Sequence, residues 1–274
     1  MFFRAFLIGG LVIGAIYARL PFREYPGVEY ERFPLPRDYL EPTEWAFARL
    51  MYPPVSPYYG GFQFFGDWRL GGSNWTMDYP RSDRHFAAAI RRLTRLHARS
   101  VEQPVNLDDG DDVDHWPFLM AGLAGYWELT DSQVATLREY LLRGGFLFCD
   151  SFFGSDSWAG FTAGMRRVFP DRQIVDLPDD HPVFHIVYDL KQMSRQQIPN
   201  MNSLAAGGGG WLGDGSVPRW RGIFNDEGRL MVLIAFNNDV ADSWQWADNP
   251  NYPADRATLG LQIGVNVAVY SMTH

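Results

Sequence analysis

Apolar segments that flank an amphipathic helix pattern constrain the fold of this chain more than any other feature. The run WPFLMAGLAG at 116–125 is predicted to form a buried strand and a turn, and FLFCD at 146–150 a second strand. Between them, Thr130 and Gln133 have the spacing of a capping box, and Gly144 is placed to end a helix. Since strand, helix and strand in succession form a right-handed crossover, these segments predict a parallel sheet.

Other segments extend this pattern over 58–274. Ser82 or Asp83 is placed to cap an amphipathic helix, and a glycine-rich turn follows an aromatic run. We predict further strands at 60–72 and 229–236, and further helices at 85–100 and 256–274. The predicted fold class is therefore a three-layer α/β domain with a mostly parallel sheet.

The first twenty residues predict a transmembrane anchor. The run from Ala5 to Ala18 is uncharged, and a helix of this length with its flanking phenylalanines spans roughly 27 Å, close to a hydrocarbon core of about 30 Å. A cleaved signal peptide and a buried helix are the alternatives, but no A-x-A pattern precedes Arg19. We expect an uncleaved single-pass anchor at 1–20 in the bacterial inner membrane, with the folded domain in the periplasm. Gly10 and Gly14 form either a docking face for another helix or a pair of ordinary membrane glycines.

A proline-rich segment at 21–57 separates this anchor from the domain. It contains eight of the 18 prolines, which predicts an extended stalk or strap with a helical turn or two near 44–51. Its aromatic side chains and the tryptophan of the glycine-rich loop at 201–217 favour contact with a partner protein. The predicted partner contacts are Gly10, Gly14, Tyr25, Tyr30, Phe33, Tyr39 and Trp211.

Charge and cysteine content exclude several classes of protein. With 24 basic and 32 acidic side chains the net charge is −8, so the chain has no overall positive field to hold nucleic acid. Its single cysteine, Cys149, cannot form an intramolecular disulfide or a thiolate zinc cluster. We expect no nucleic acid partner and no structural zinc.

Several sequence blocks resemble a bacterial family catalogued as domain of unknown function 4159. These blocks are GDWRLGGSNW, the segment from WPFLMAGLAG to FLFCDSFFGS, DDHPVFHIVYDL and RLMVLIAFNND, in that order. The resemblance covers roughly residues 60–274. It implies a flavodoxin-like domain related to class I glutamine amidotransferases, without an assigned activity.

Related amidotransferases carry a catalytic cysteine on a sharp elbow between a strand and a helix, with glycines two positions to either side. Cys149 lacks such neighbours, and we interpret it as a buried core residue. The elbow position falls on AGLAG at 121–125, where the central residue is Leu123. Because leucine has no nucleophilic atom, this position argues against acyl transfer.

The best pocket candidates lie where strands end. Asp150 and Ser151 follow a predicted strand, at the edge where open α/β sheets bind ligands, and Asp156 lies close by. His181 and His185 have the spacing of metal ligands, but Pro182 between them favours a structural turn. The acidic run at 108–114 lacks the ligand pattern of a calcium loop and is interpreted as a solvated loop. We expect no metal and no cofactor.

These observations predict a non-catalytic accessory subunit that docks on a larger integral-membrane complex. A respiratory assembly or a photosynthetic reaction-centre and light-harvesting assembly is the expected kind of host. The alternative is a cell-envelope hydrolase or carbohydrate-binding module that uses Asp150, Asp156 and Trp158 beside His181 or His185.

Overall fold

The structure, a computed structural model, describes residues 22–30, 33–56, 58–59, 62–63 and 66–274. Nine strands occur in these residues: β1 Ala48–Met51, β2 Tyr58–Tyr59, β3 Phe62–Gln63, β4 Gln103–Asn106, β5 Phe118–Gly122, β6 Phe146–Asp150, β7 Val175–Asp176, β8 Arg219–Phe224 and β9 Leu230–Phe236. The same residues form six α-helices: α1 Arg81–Leu93, α2 Asp131–Leu142, α3 Gly154–Val168, α4 Met201–Ala205, α5 Val240–Gln245 and α6 Ala254–Thr273.

Seven of the strands form one sheet in the order β4-β1-β5-β6-β9-β8-β7. The first five of these pair in parallel, whereas β8 and β7 are antiparallel additions at one edge. If these five parallel strands are numbered along the chain, their order across the sheet is 2-1-3-4-5. The order reverses between β1 and β5, and such a reversal leaves a crevice at the carboxyl ends of the strands.

Helices cover both faces of the sheet, which confirms the mixed α/β class. One core cluster packs the sheet against α2 and α3, through side chains such as Leu137 and Phe161. The other packs it against α1, α5 and α6, through side chains such as Phe86, Trp244 and Ile263. Buried parallel strands between two helical layers are nearly continuous apolar runs, as β5, β6 and β9 are.

Strand β1 differs from the sequence prediction. We predicted a proline-rich stalk at 21–57 with helical turns near 44–51, but Ala48–Met51 is a fully buried strand that pairs with both β4 and β5. The helical prediction was wrong because WAFARLMY at 45–52 is a buried run of the parallel-strand type, and all eight residues are buried. The domain therefore takes one of its inner strands from the segment that precedes residue 58.

Other elements follow the sequence more closely. Thr130 and Gln133 form the predicted capping box of α2, and Gly144 follows the helix with a φ of +117°. Helix α1 instead begins after Pro80, with Ser82 and Asp83 inside its first turn.

Two segments that were predicted as loop or strand also differ. In the glycine-rich segment at 201–217, Met201–Ala205 forms the short helix α4. The strand predicted at 60–72 is represented in the described residues by β3, which pairs with β2 outside the main sheet.

Among the residues that the structure describes, no helix has both the length and the apolar character needed to cross a bilayer. The anchor predicted at 1–20, with Gly10 and Gly14, lies outside the described residues.

Candidate functional site at the carboxyl edge of the sheet

Three neighbouring parallel strands end in an unusual backbone conformation. The residue after β5 is Leu123, the residue after β6 is Ser151, and the residue after β9 is Asn237; their φ angles are +49°, +62° and +59°. Outside glycine, such conformations cost of order 1–3 kcal/mol each and concentrate at functional sites. Gly122 and Asp150 are register partners, so Leu123 and Ser151 follow adjacent strand ends.

Leu123 forms the elbow between β5 and the short 3-10 helix Ala124–Tyr126. Its left-handed conformation turns the chain sharply, at the position where the sequence placed an elbow. The close approach of neighbouring elements continues at Gly125, where a Cβ atom would lie 2.7 Å from the Ser157 carbonyl oxygen. The Leu123 side chain is buried and apolar, so this elbow presents no nucleophile.

A chain of hydrogen bonds joins β6 to α5 at this edge. The Ser151 hydroxyl donates to Asp239 Oδ1 at 2.8 Å, and the amide group of Asn200 donates to Asp239 Oδ2 at 2.9 Å. Asp150 Oδ2 accepts a hydrogen bond from the backbone N–H of Ala241 at 2.8 Å. Asp239 is also the N-cap of α5, where it accepts from the N–H of Asp242. The network holds two buried carboxyl groups next to the start of a helix.

Burial of several carboxyl groups in one place disfavours their ionised forms. Burial and the neighbouring Asp239 raise the pKa of Asp150 to about 8. Burial raises the pKa of Asp239 to about 6, although hydrogen bonds from Asn200 and Ser151 oppose this shift. Burial, and next the Asp239 carboxylate, raise the pKa values of Asp78 and Asp242 well above their ordinary range. At neutral pH these four groups together therefore carry fewer than four full charges.

Asp78, Asp239 and Asp242, together with Glu29, line a partly enclosed cavity of about 80 Å³. Three of the five non-glycine residues that the structure describes with positive φ contribute to its wall, namely Asp78, Leu123 and Ser151. The complete lining is Glu29, Met77, Asp78, Leu123, Ser151, Asn200, Asn202, Leu212, Asp239 and Asp242. In the described part of the chain, no three histidine, cysteine, aspartate or glutamate side chains are arranged to hold a metal ion.

A buried ion pair lies beside this cavity. Arg49, on β1, bonds Asp83 of α1 through Nε at 2.7 Å and through Nη2. Its remaining N–H groups donate to the carbonyl oxygens of Trp75 and Met77 and to the Ser82 hydroxyl. Both charged side chains are about 1% exposed or less. Ser82 and Asp83 thus serve this ion pair rather than a helix cap, and the ion pair orients the segment that carries Asp78.

The predicted pocket residues do not form one site. Asp150 and Ser151 lie at the carboxyl edge, and Ser151 lines the cavity. Asp156 is exposed in the first turn of α3. His181 packs against Phe224 at the end of β8, which pairs with the start of β9, and so lies at the opposite edge of the sheet.

The two histidines belong to the structural turn that the sequence favoured. His181 caps the 3-10 helix Pro182–Phe184, and burial lowers its pKa. His185 bonds the Asp189 carboxylate at 2.6 Å and the Asp179 carbonyl oxygen at 2.8 Å. These two contacts raise the pKa of His185. Hydrolysis by Asp150 with either histidine is therefore inconsistent with this arrangement.

Cys149 is fully buried within β6, beside Ala121 of β5. Burial, and then the adjacent Asp150, raise the pKa of its thiol well above the ordinary value. A buried neutral thiol is a poor nucleophile.

The aromatic residues predicted to contact a partner are mostly used within the chain. Tyr25 packs edge-on against Trp75, and Phe33 packs edge-on against His85. Tyr30 packs on Trp246 and accepts a hydrogen bond from Arg81, whereas Tyr39 packs against Phe22. Trp211, at 39% exposure, is the most exposed of the described candidates.

The residues 22–30 and 33–47 are held to the domain as a strap, which is the name used below. Glu24 accepts a hydrogen bond from Arg84 of α1 at 2.7 Å, and Glu29 accepts one from Gln245 of α5. Gly27 is so close to Tyr79 that a Cβ atom would lie 2.3 Å from its carbonyl oxygen. The strap therefore brings Glu29 to the cavity.

Sequence reasoning missed most of the cavity. Asp239 and Asp242 follow the apolar run of β9, and the rule that ligands bind at strand ends could have identified them. No sequence pattern identified Glu29 and Asp78, because they lie in the strap and in an irregular segment before α1.

Comparison with known proteins gives a family. The model of a family described as a domain of unknown function, DUF4159, matches residues 65–272. No curated protein matches the chain. The match includes the three strand ends and α5, whereas the strap and β1 precede it.

Proposed function

This chain belongs to the DUF4159 family, and we propose that it is a non-catalytic accessory subunit that docks on a larger integral-membrane complex. The observation that carries the proposal is the elbow at Leu123: the sharp turn is kept, but the side chain is buried and apolar. An elbow without a reacting group favours a role in binding over a role in acyl transfer.

We also propose that the domain is related in fold to the amidotransferases, and the strand order supports this relationship. The five parallel strands have the order of flavodoxin-like folds, in which the site lies at the reversal between the first and third strands. Leu123 follows that third strand, β5. Acyl transfer at this point requires a nucleophile at the elbow, and the thiol of Cys149 is buried in the neighbouring strand.

The strap supports docking at a fixed position. An anchor that ends at residue 20 would be followed almost at once by residues that pack on the domain, such as Glu24 with Arg84 and Gly27 with Tyr79. A domain held in this way has little freedom to swing away from the bilayer. This favours a subunit with a defined place in an assembly over a sensor on a flexible stalk.

Two surfaces are proposed for the docking itself. Within the bilayer, Gly10 and Gly14 would allow close approach of a neighbouring helix. Outside it, Trp211 and Val217 expose 39% and 54% of their surface in the glycine-rich segment. The proposed host is a respiratory or photosynthetic complex of the bacterial inner membrane, with the domain on its periplasmic side.

Affinity purification from mild detergent, with a tag after His274, tests this proposal. The wild-type chain should retain membrane-protein partners at fixed stoichiometry. Gly10→Leu with Gly14→Leu should leave the chain in the membrane and reduce partner recovery, whereas Leu7→Ile with Leu11→Ile should not. Recovery of the wild-type chain without partners would refute the proposal.

A further inference from the structure

The partly enclosed cavity at the carboxyl edge has more hydrogen-bond acceptors than donors. We propose that it binds the ammonium group of a primary alkylamine. This inference goes beyond the accessory role and does not depend on a membrane partner.

Two of the side-chain donors in the cavity wall already have acceptors there. The Ser151 hydroxyl and the Asn200 amide both donate to Asp239. Asp242 accepts from the N–H of Met201 and from the Trp246 indole. Because these donors point at carboxyl groups, a ligand that accepts hydrogen bonds finds little in this wall to bind.

Asp78 supplies the acceptor that is left over. Its side chain lines the cavity and is 3% exposed, and its Oδ2 has no hydrogen-bond partner among the described residues. An unsatisfied buried carboxyl oxygen is energetically unfavourable. A ligand that donates a hydrogen bond to it therefore removes most of this unfavourable free energy on binding. An ammonium group offers three N–H donors, no acceptor, and a positive charge.

The size and the apolar part of the wall define the ligand further. A volume of about 80 Å³ holds several waters or one small group, but it is too small for a sugar ring with its water shell. Met77, Leu123 and Leu212 supply apolar wall beside the carboxyl groups. Apolar contact next to acceptors fits an alkyl chain that ends in an ammonium group. Both a free small amine and a lysine side chain of a protein have this chemistry.

Charged groups from every side face the cavity, and carboxyl groups outnumber cations. The strap provides Glu29, the segment before α1 provides Asp78, and α5 with its N-cap provides Asp239 and Asp242, whereas Asp150 of β6 lies behind the wall, next to Ser151. The cations are Arg49, which Asp83 neutralises, and Arg81, which pairs with Asp248; Tyr252 also lies close to the aspartates. Since the carboxyl groups lose protons as the pH rises, ammonium binding should strengthen from pH 6 to pH 9.

Calorimetric titration of the full chain in detergent tests the inference with methylammonium as the probe. Methylammonium should bind saturably and release protons, and tetramethylammonium, a cation without N–H donors, should not bind. Asp78→Asn keeps the size of the side chain and should weaken binding by at least about tenfold. Asp180→Asn, the same change at an exposed site, should leave binding unchanged.

A second probe distinguishes the sources of the amine. Tighter binding of Nα-acetyl-lysine amide than of methylammonium would indicate a protein lysine, and the reverse would indicate a free amine. Equal binding of methylammonium and tetramethylammonium, or wild-type affinity of Asp78→Asn, would overturn the inference. If Asp78→Asn fails to fold, titration of the wild-type chain at several pH values tests the inference instead. An affinity and a proton release that do not change with pH would also overturn the inference. Ammonium binding requires no membrane partner. A negative titration would therefore overturn this inference alone, and the accessory role would still be tested by the affinity purification.

Discussion

At the residue scale, several energetically unfavourable features of the described residues lie at one place. Three positive-φ residues, a carboxyl oxygen without a partner and several carboxyl groups with raised pKa values surround one small cavity. The sequence identified Asp150 and Ser151 because they follow a clear apolar strand. It did not identify Asp78, because long-range packing on Arg49 and α1 brings that residue to the cavity, and local patterns carry no information about such packing.

The raised carboxyl pKa values predict how stability depends on pH. Each of these groups binds its proton more tightly in the folded than in the unfolded protein, so the free energy of unfolding falls as the pH rises through the folded-state pKa values. For Asp239 and Asp150 these values are about 6 and about 8, so we expect a decline between pH 5 and pH 9. Denaturant unfolding across this range measures it.

Asp150→Asn should flatten this decline, because the variant has no proton to lose at that position. The control Asp180→Asn should keep the wild-type slope. A stability that rises from pH 5 to pH 9 would contradict the assignment of raised pKa values.

The buried ion pair predicts a large mutational effect. Arg49→Met leaves Asp83 buried without its partner, and such a loss costs about 3–5 kcal/mol in the free energy of unfolding. Arg143→Met removes an exposed arginine that pairs with Glu139 and Asp114, and should cost less than about 1 kcal/mol. Denaturant titration of both variants measures the difference. Equal losses would show that the pair at Arg49 is not desolvated as described.

At the element scale, periodic segments were predictable and irregular ones were not. Helix α2 has a capping box and a terminal glycine, and β5, β6 and β9 are unbroken apolar runs, so local patterns suffice for them. Strand β1 lies among prolines, which led the sequence reasoning to treat the whole segment as a stalk. The antiparallel edge strands β8 and β7 had no comparable sequence pattern, and β7 has only two residues.

The strap predicts protection from proteolysis. In the wild-type chain, trypsin should cleave slowly after Arg23 and Arg37, because the surrounding residues pack on α1 and α5. Gly27→Ala places a methyl group against the Tyr79 and Tyr30 carbonyl oxygens and should speed this cleavage by at least about tenfold. Cleavage is followed by mass spectrometry.

Gly110→Ala is the control for the strap. Gly110 has a positive φ of +70°, unlike Gly27, but a Cβ atom added there would lie in open space, so the change costs only about 1 kcal/mol of local strain. It should leave cleavage in the strap unchanged. Rapid cleavage of the wild-type strap would instead favour a flexible stalk.

At the scale of the whole molecule, the sheet, strap and elbow support one account. The DUF4159 domain has leucine at the elbow that follows β5, and the strap ties the segment after the proposed anchor to that same edge. Fold class was predictable because alternating strands and helices admit few arrangements. The cavity was not, since six separate parts of the chain, from Glu29 to Asp242, build it.

We propose that this protein works as a stable part of a larger membrane assembly. Solubilisation of native membranes in mild detergent, followed by size separation and quantitative mass spectrometry, is the experiment that decides this. The chain should migrate within a large complex at a fixed ratio to the other subunits. Migration alone, at the size of a 31.3 kDa chain with its detergent, would contradict it.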